Sequence, residues 1–154
     1  MVRAVAAGRW VWRGNELIDA NGHMIASVRS DVLHCGEERL LIESSAGPRF
    51  RARATSTSGE VLTIAQAGFT VHRLRARCAE REYELARSSP WRKQRLILSE
   101  GAALVVVRPL MSGCVEVEEA PDAPRAIASL DAMFLSWACV LVDSPVRRPR
   151  WSGA

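Results

Sequence analysis

Three arginines occupy alternate positions in Arg73-Leu74-Arg75-Ala76-Arg77, and two more repeat the spacing in Arg51-Ala52-Arg53. In an extended strand, side chains two apart share a face at intervals of about 6.6–6.8 Å. Guanidinium groups at that pitch suit successive phosphates or a polyanionic head group, because each planar fork can hold two anionic oxygens. Arg73 and Arg75 are expected to be the principal contacts, with Arg77, Arg51 and Arg53 beside them. The competing reading is a solvated outer face whose charges pair with Glu80, Glu82 and Glu84.

Other chemistry is poorly represented. There is no Gly-rich phosphate loop, no G-x-S-x-G elbow and no pair of catalytic carboxylates. His23, His34 and His72 lie far apart in the chain, and none stands at ligand spacing from Cys or Asp. Cys35, Cys78, Cys114 and Cys139 form no C-x-x-C pair, which predicts reduced, structural thiols in a cytoplasmic compartment. No catalytic residue, metal ligand or cofactor is therefore assigned, and the expected role is not enzymatic. Trp10, Trp12 and Trp91 are expected to pack in the core rather than to stack on bases or sit at a lipid interface.

The net charge is +4, and Lys93 is the single lysine among 21 basic residues. Codon bias in a GC-rich genome would produce the same ratio. The position of arginines along strands carries the argument instead.

The elements that must hold these groups are short. Trp10-Val11-Trp12, Glu16–Asp19, His23–Val28, Arg39–Glu43, Phe50–Thr55, Val61–Ala65, Phe69–Cys78, Arg81–Arg87, Arg92–Leu98, Ala103–Arg108 and Gly113–Glu118 all read as strands. About eleven or twelve such strands at spacings near 8–12 residues mark an all-β sandwich or barrel. Asn21-Gly22 is a hairpin signal, since both residues accept positive φ. Arg29–Glu38 reads as a loop, and Leu104–Val107 is continuously apolar, as in a strand covered on both faces.

The stretch 123–142 is the one long apolar segment, and it is apolar nearly all round. Such a helix is enclosed either by protein or by lipid. Asp122 is expected to cap it and Pro124 to occupy its first turn. A bilayer span would bury Asp131 at a cost of at least about 2.5 kcal/mol, and the apolar run after it is too short to cross. The expectation is a core helix over 124–142 with Leu130, Phe134, Trp137 and Leu141 buried. The first nine residues hold too short an apolar run for a secretory signal, and 144–154 reads as a flexible Arg/Pro tail after a single domain over 1–143.

The opening hairpin Leu17–Ala26, the succession of strands and the closing segment Ala126–Val142 together resemble the tubby C-terminal-like superfamily, in its LURP-one-related and phospholipid-scramblase-like branch. The resemblance covers residues 9–143. It implies a closed, twelve-stranded antiparallel barrel around a central hydrophobic helix, in a family whose members bind phosphoinositides, associate with membranes or have no known activity. The LURP-one loop region is shorter here, and the acidic calcium-loop residues of scramblases are not recognisable beside Asp131, so calcium dependence is not carried over. The resulting expectation is a non-catalytic module recognising anionic phospholipid or a membrane surface, and hence a peripheral membrane location. Two alternatives stand beside it. One is nucleic-acid binding through the arginine rows and the Arg147-Arg148-Pro149-Arg150 tail, which lacks interleaved aromatics. The other is a partner-binding domain with no small ligand.

Overall fold

A computed structural model describes residues 8–45, 49–89 and 91–143. The expected 144–154 tail lies outside the described residues. Twelve strands follow one another: β1 Arg9–Arg13, β2 Glu16–Ile18, β3 Met24–Arg29, β4 Val32–Cys35, β5 Glu38–Ser44, β6 Arg51–Ser56, β7 Val61–Gln66, β8 Arg73–Cys78, β9 Arg81–Ser89, β10 Arg92–Ser99, β11 Ala102–Pro109 and β12 Val115–Glu119. Each pairs antiparallel with the next, and β12 pairs with β1 to close the barrel. Among the described residues, closure leaves no unpaired strand edge. One helix, α1 Ser129–Asp143, fills the lumen.

Strand alternation sets the wall. On β8, Leu74, Ala76 and Cys78 point inward while Arg73, Arg75 and Arg77 are exposed. On β6, Ala52 and Ala54 are buried between exposed Arg51 and Arg53. Small inward residues such as these leave room for the larger side chains of α1, where every residue from Asp131 to Asp143 is buried. Phe134, Trp137 and Leu141 lie in this core. Trp12 is also fully buried, its ring 5.0 Å from that of Trp137 and tilted 50° to it. Its indole N–H donates to Ser136 Oγ at 2.8 Å, which satisfies the one polar atom that such a side chain brings inside. The whole Leu104–Val107 run is buried, as its continuous apolarity predicts.

The structure corrects several expectations. The segment 29–38 is not a loop: it contains β4, entered through Ser30 and Asp31 with φ of 51° and 62°. A left-handed pair without Gly or Asn gives little turn signal, and so the strand behind it is concealed. At the first hairpin Gly22 alone of the Asn-Gly pair takes positive φ. Asp19 closes that wider loop by accepting the backbone N–H groups of Asn21 and His23, both at 2.9 Å. Residues 69–72 belong to a connection rather than to β8. Trp91 is not core: it is 92% exposed on the β9–β10 connection.

The helix begins at Ser129, five residues later than expected, so Asp122 is no cap and Pro124 lies outside the first turn. The chain leaves the wall at Glu119 and must travel to the barrel axis before a helix can run along it. Residues 120–128 make that crossing, with Ala123 N–H bonding Ala120 O at 3.2 Å and Ile127 buried. Leu130 consequently sits at the mouth and is half-buried rather than enclosed. Asp131 is moved from mid-helix to the first turn, where a negative charge is favoured by the helix dipole.

At the seam between chain ends, Glu116 on β12 bonds Arg9 of β1 at 2.7 Å and Arg108 of β11 at 3.0 Å. The hydrogen bond from Arg9, outweighing partial burial and aided by Arg108, holds this carboxyl below the usual range. A depressed folded-state pKa stabilises the fold above the unfolded value, and that contribution is lost as pH falls through the folded one. Glu116→Gln is therefore expected to lower the melting temperature at neutral pH and to flatten its acid-side decline. Parallel acid-side melting curves for the two proteins would refute this role.

Candidate functional site

The arginine rows become one surface because of strand order. Across the wall, Arg51 pairs with Ala65 and Ala65 with Arg75, while Arg53 pairs with Thr63 and Thr63 with Arg77. Two inter-strand steps of about 4.8 Å place the rows on β6 and β8 about 9.6 Å apart, with only small neutral side chains between them. Arg51, Arg53, Arg75 and Arg77 thus outline a grid on the outer face, and Arg73 extends it along β8.

Acidic residues border this grid. Glu43 faces Arg53 from β5, and Glu82 and Glu84 face Arg77 and Arg75 from β9. Arg73 is ion-paired with Glu84, and Arg77 Nε donates to Ala79 O at 3.1 Å. Arg51, Arg53 and Arg75 make no ion pair among the described residues. Of the two expected principal contacts, Arg75 is therefore open to a ligand and Arg73 is already engaged. The grid offers exposed hydrogen-bond forks to phosphate oxygens, and a shallow cleft of about 280 Å³ beside Arg75 is lined by Glu82, Glu84 and Glu100.

Two buried ionic clamps were not read from sequence. At the start of α1, Asp131 accepts Arg81 Nε at 2.6 Å, Arg81 Nη2 at 3.0 Å and Tyr83 Oη at 2.6 Å, and Arg81 also bonds Glu60 at 3.0 Å. Burial, and next the bond to Asp131, raises the Tyr83 hydroxyl pKa. The bond to Asp131 raises that of Arg81, so both stay protonated donors. At the other end, Asp143 takes two bonds from fully buried Arg95, at 2.7 and 2.8 Å, and one from Arg87 at 3.0 Å. Lys93 Nζ donates to Asp143 O at 3.1 Å. These cations offset an acid placed at the unfavourable end of the helix dipole. The signal existed in the sequence: Arg81, Tyr83, Leu85 and Arg87 share the inward phase of β9, with charges at both ends of an apolar pair. These groups anchor the plug: Asp131, Arg95 and Asp143 are buried, while Arg81 and Lys93 reach solvent.

The thiols of Cys78 and Cys139 are buried, and burial raises the pKa of both well above a nucleophilic range. Among the described residues no group of three His, Cys, Asp or Glu is placed to hold a metal ion. One cleft, about 640 Å³, lies on the β1–β12 seam and carries Asp19, Glu116, Glu118 and Glu119 against Arg9, the wrong charge for an anion. No described helix is long and apolar enough to cross a membrane. Comparison with family models, with curated proteins and with solved structures gives no match in any of the three.

Proposed function

We propose that this barrel is a non-catalytic binding module for anionic phospholipid head groups at a membrane surface. The observation that carries the reading is the grid formed by Arg51, Arg53, Arg75 and Arg77 on two strands flanking an uncharged one. Rigid strands hold these charges in register, which spares a ligand the cost of ordering them. The resemblance to the tubby-like and scramblase-like branch supports the same ligand class, and the closed barrel around a helix is compatible with that kinship. An exposed, shallow array favours weak, reversible, salt-sensitive attachment over catalysis, since charges in the open are screened beyond about 8–10 Å at physiological ionic strength.

Co-sedimentation with phosphatidylserine-containing vesicles at low and high salt tests this, with phosphatidylcholine vesicles and a short oligonucleotide as comparisons. Binding is expected to the anionic vesicles, falling steeply with salt. Arg51→Glu with Arg75→Glu should abolish it and leave the melting temperature unchanged, because both side chains are exposed. Equal binding by the variant, or preference for the oligonucleotide, would overturn the reading.

A further inference from the structure

Connections in an antiparallel meander alternate between the two rims of the barrel. The β7–β8, β9–β10 and β11–β12 connections therefore share the rim where α1 ends, and they are neighbours around it. Each presents a large apolar side chain to solvent: Phe69 at 92% exposure, Trp91 at 92%, and Met111 at 107% beside Leu110 at 36%. Of the six exposed large hydrophobic residues described, these four lie on one arc of one rim, while Met24 and Leu41 stand alone elsewhere. The backbone of the arc is occupied internally. Gln66 Nε2 donates to Gly68 O at 2.9 Å, Trp91 N–H to Ser89 Oγ at 3.1 Å, and Leu110 N–H to Cys114 O at 2.8 Å. Apolar side chains thus project from loops in which part of the backbone is already hydrogen-bonded, which lowers the cost of taking a loop tip out of water.

Cations surround the tips. A cleft of about 320 Å³ between the Trp91 and Leu110–Met111 loops is lined by Arg92, Lys93, Gln94, Arg108 and Pro109; Arg108 is paired with Glu116 and Glu118 and Lys93 donates to Asp143 O, while Arg92 makes no ion pair among the described residues. Arg49 sits 5.4 Å over the Phe69 ring, and Arg51 and Arg73 begin the arginine rows just below. Separate apolar tips spaced by pairs of strands do not make the continuous dry patch of a protein interface. Aromatic tips over a basic collar match the boundary of an anionic bilayer, where Trp settles among head groups and each nearby Lys or Arg is attracted by acidic lipid.

We infer that this rim docks end-on to an anionic bilayer, with Phe69, Trp91, Leu110 and Met111 entering the head-group layer and Arg92, at the mouth of the cleft beside Trp91, meeting a lipid phosphate. The inference rests on the lipid reading above and adds to it an orientation and a second, distinct contact. The grid then lies on the side wall next to the membrane, and the helix stays in its barrel.

The test uses the full chain and vesicles of phosphatidylcholine with phosphatidylserine. The triple variant Phe69→Ser, Trp91→Ser, Met111→Ser should lose at least tenfold in vesicle affinity, and Arg92→Glu a smaller factor, while Met24→Ser with Leu41→Ser binds as wild type. Brominated phosphatidylcholine in the same vesicles should quench wild-type tryptophan fluorescence, and Trp91→Phe should remove that quenching while retaining attachment. Wild-type affinity in the triple variant, or undiminished quenching in Trp91→Phe, overturns the docking. If the Arg51→Glu, Arg75→Glu protein loses binding while the triple variant keeps it, the lipid reading stands and the rim contact falls. If wild type ignores anionic vesicles altogether, both fail. A triple variant that changes only the oligomeric state assigns the tips to self-association and also overturns the docking.

Discussion

Asp143→Asn is expected to destabilise the fold by roughly 3–5 kcal/mol, the usual cost of removing one partner from a buried ion pair. Arg95 is fully buried and both of its bonds to Asp143 come from one edge of the guanidinium, through Nε and Nη2. The substitution leaves that cation inside with a neutral amide, and Arg87 loses the same partner. Water cannot easily replace the lost charge, because the carboxylate and the Arg95 guanidinium are both buried although they lie near the rim. Adding Arg95→Met should return part of the loss, since the penalty belongs to the orphaned charge rather than to missing packing. Urea denaturation of the two single variants and the double variant measures both effects. A single-variant loss under about 1 kcal/mol would show that the clamp is solvated and place it with surface ion pairs.

The second large effect lies at the middle of the plug. Phe134→Ala and Trp137→Ala should each cost about 3–5 kcal/mol, because a cavity opens where strands on every side prevent collapse. Phe134 is fully buried, and Trp137 is packed at a 5.0 Å centroid separation against Trp12. Trp137→Ala should also disturb the Trp12 indole, whose N–H is held by Ser136, the residue before Trp137. Equilibrium unfolding combined with near-ultraviolet circular dichroism would register both changes. A neutral Trp137→Ala would mean that the helix is not gripped by the wall and would sink the plug architecture.

These two effects reflect different kinds of information in the chain. Which side of each strand faces the core is local: Leu74-Arg75-Ala76 alternates because successive side chains in a strand point to opposite faces, whatever else the fold does. The enclosed helix was legible for the same reason, since an all-round apolar segment with Phe134, Trp137 and Leu141 has no solvent face to offer. Sharing of a face by Arg73, Arg75 and Arg77, and by Arg51 and Arg53, followed from spacing alone.

Tertiary structure decided the rest, because adjacency between strands depends on order and closure that no local period encodes. That Arg51 stands two strands from Arg75, with Ala65 between them, is a property of the meander and its register. The start of α1 was settled by the distance from wall to axis, which residues 120–128 must span, and not by Pro124 or Asp122. Asp131 was visible only as a charge within an apolar segment, and Asp143 only as a mark of its end, until Arg81, Arg95 and Arg87 were brought to them by the barrel wall. Likewise, Phe69 reads from sequence as the start of a strand and Trp91 as core, while Met111 carries no signal. Closing an even-stranded antiparallel barrel brings alternate loops to one rim, and that geometry makes them neighbours.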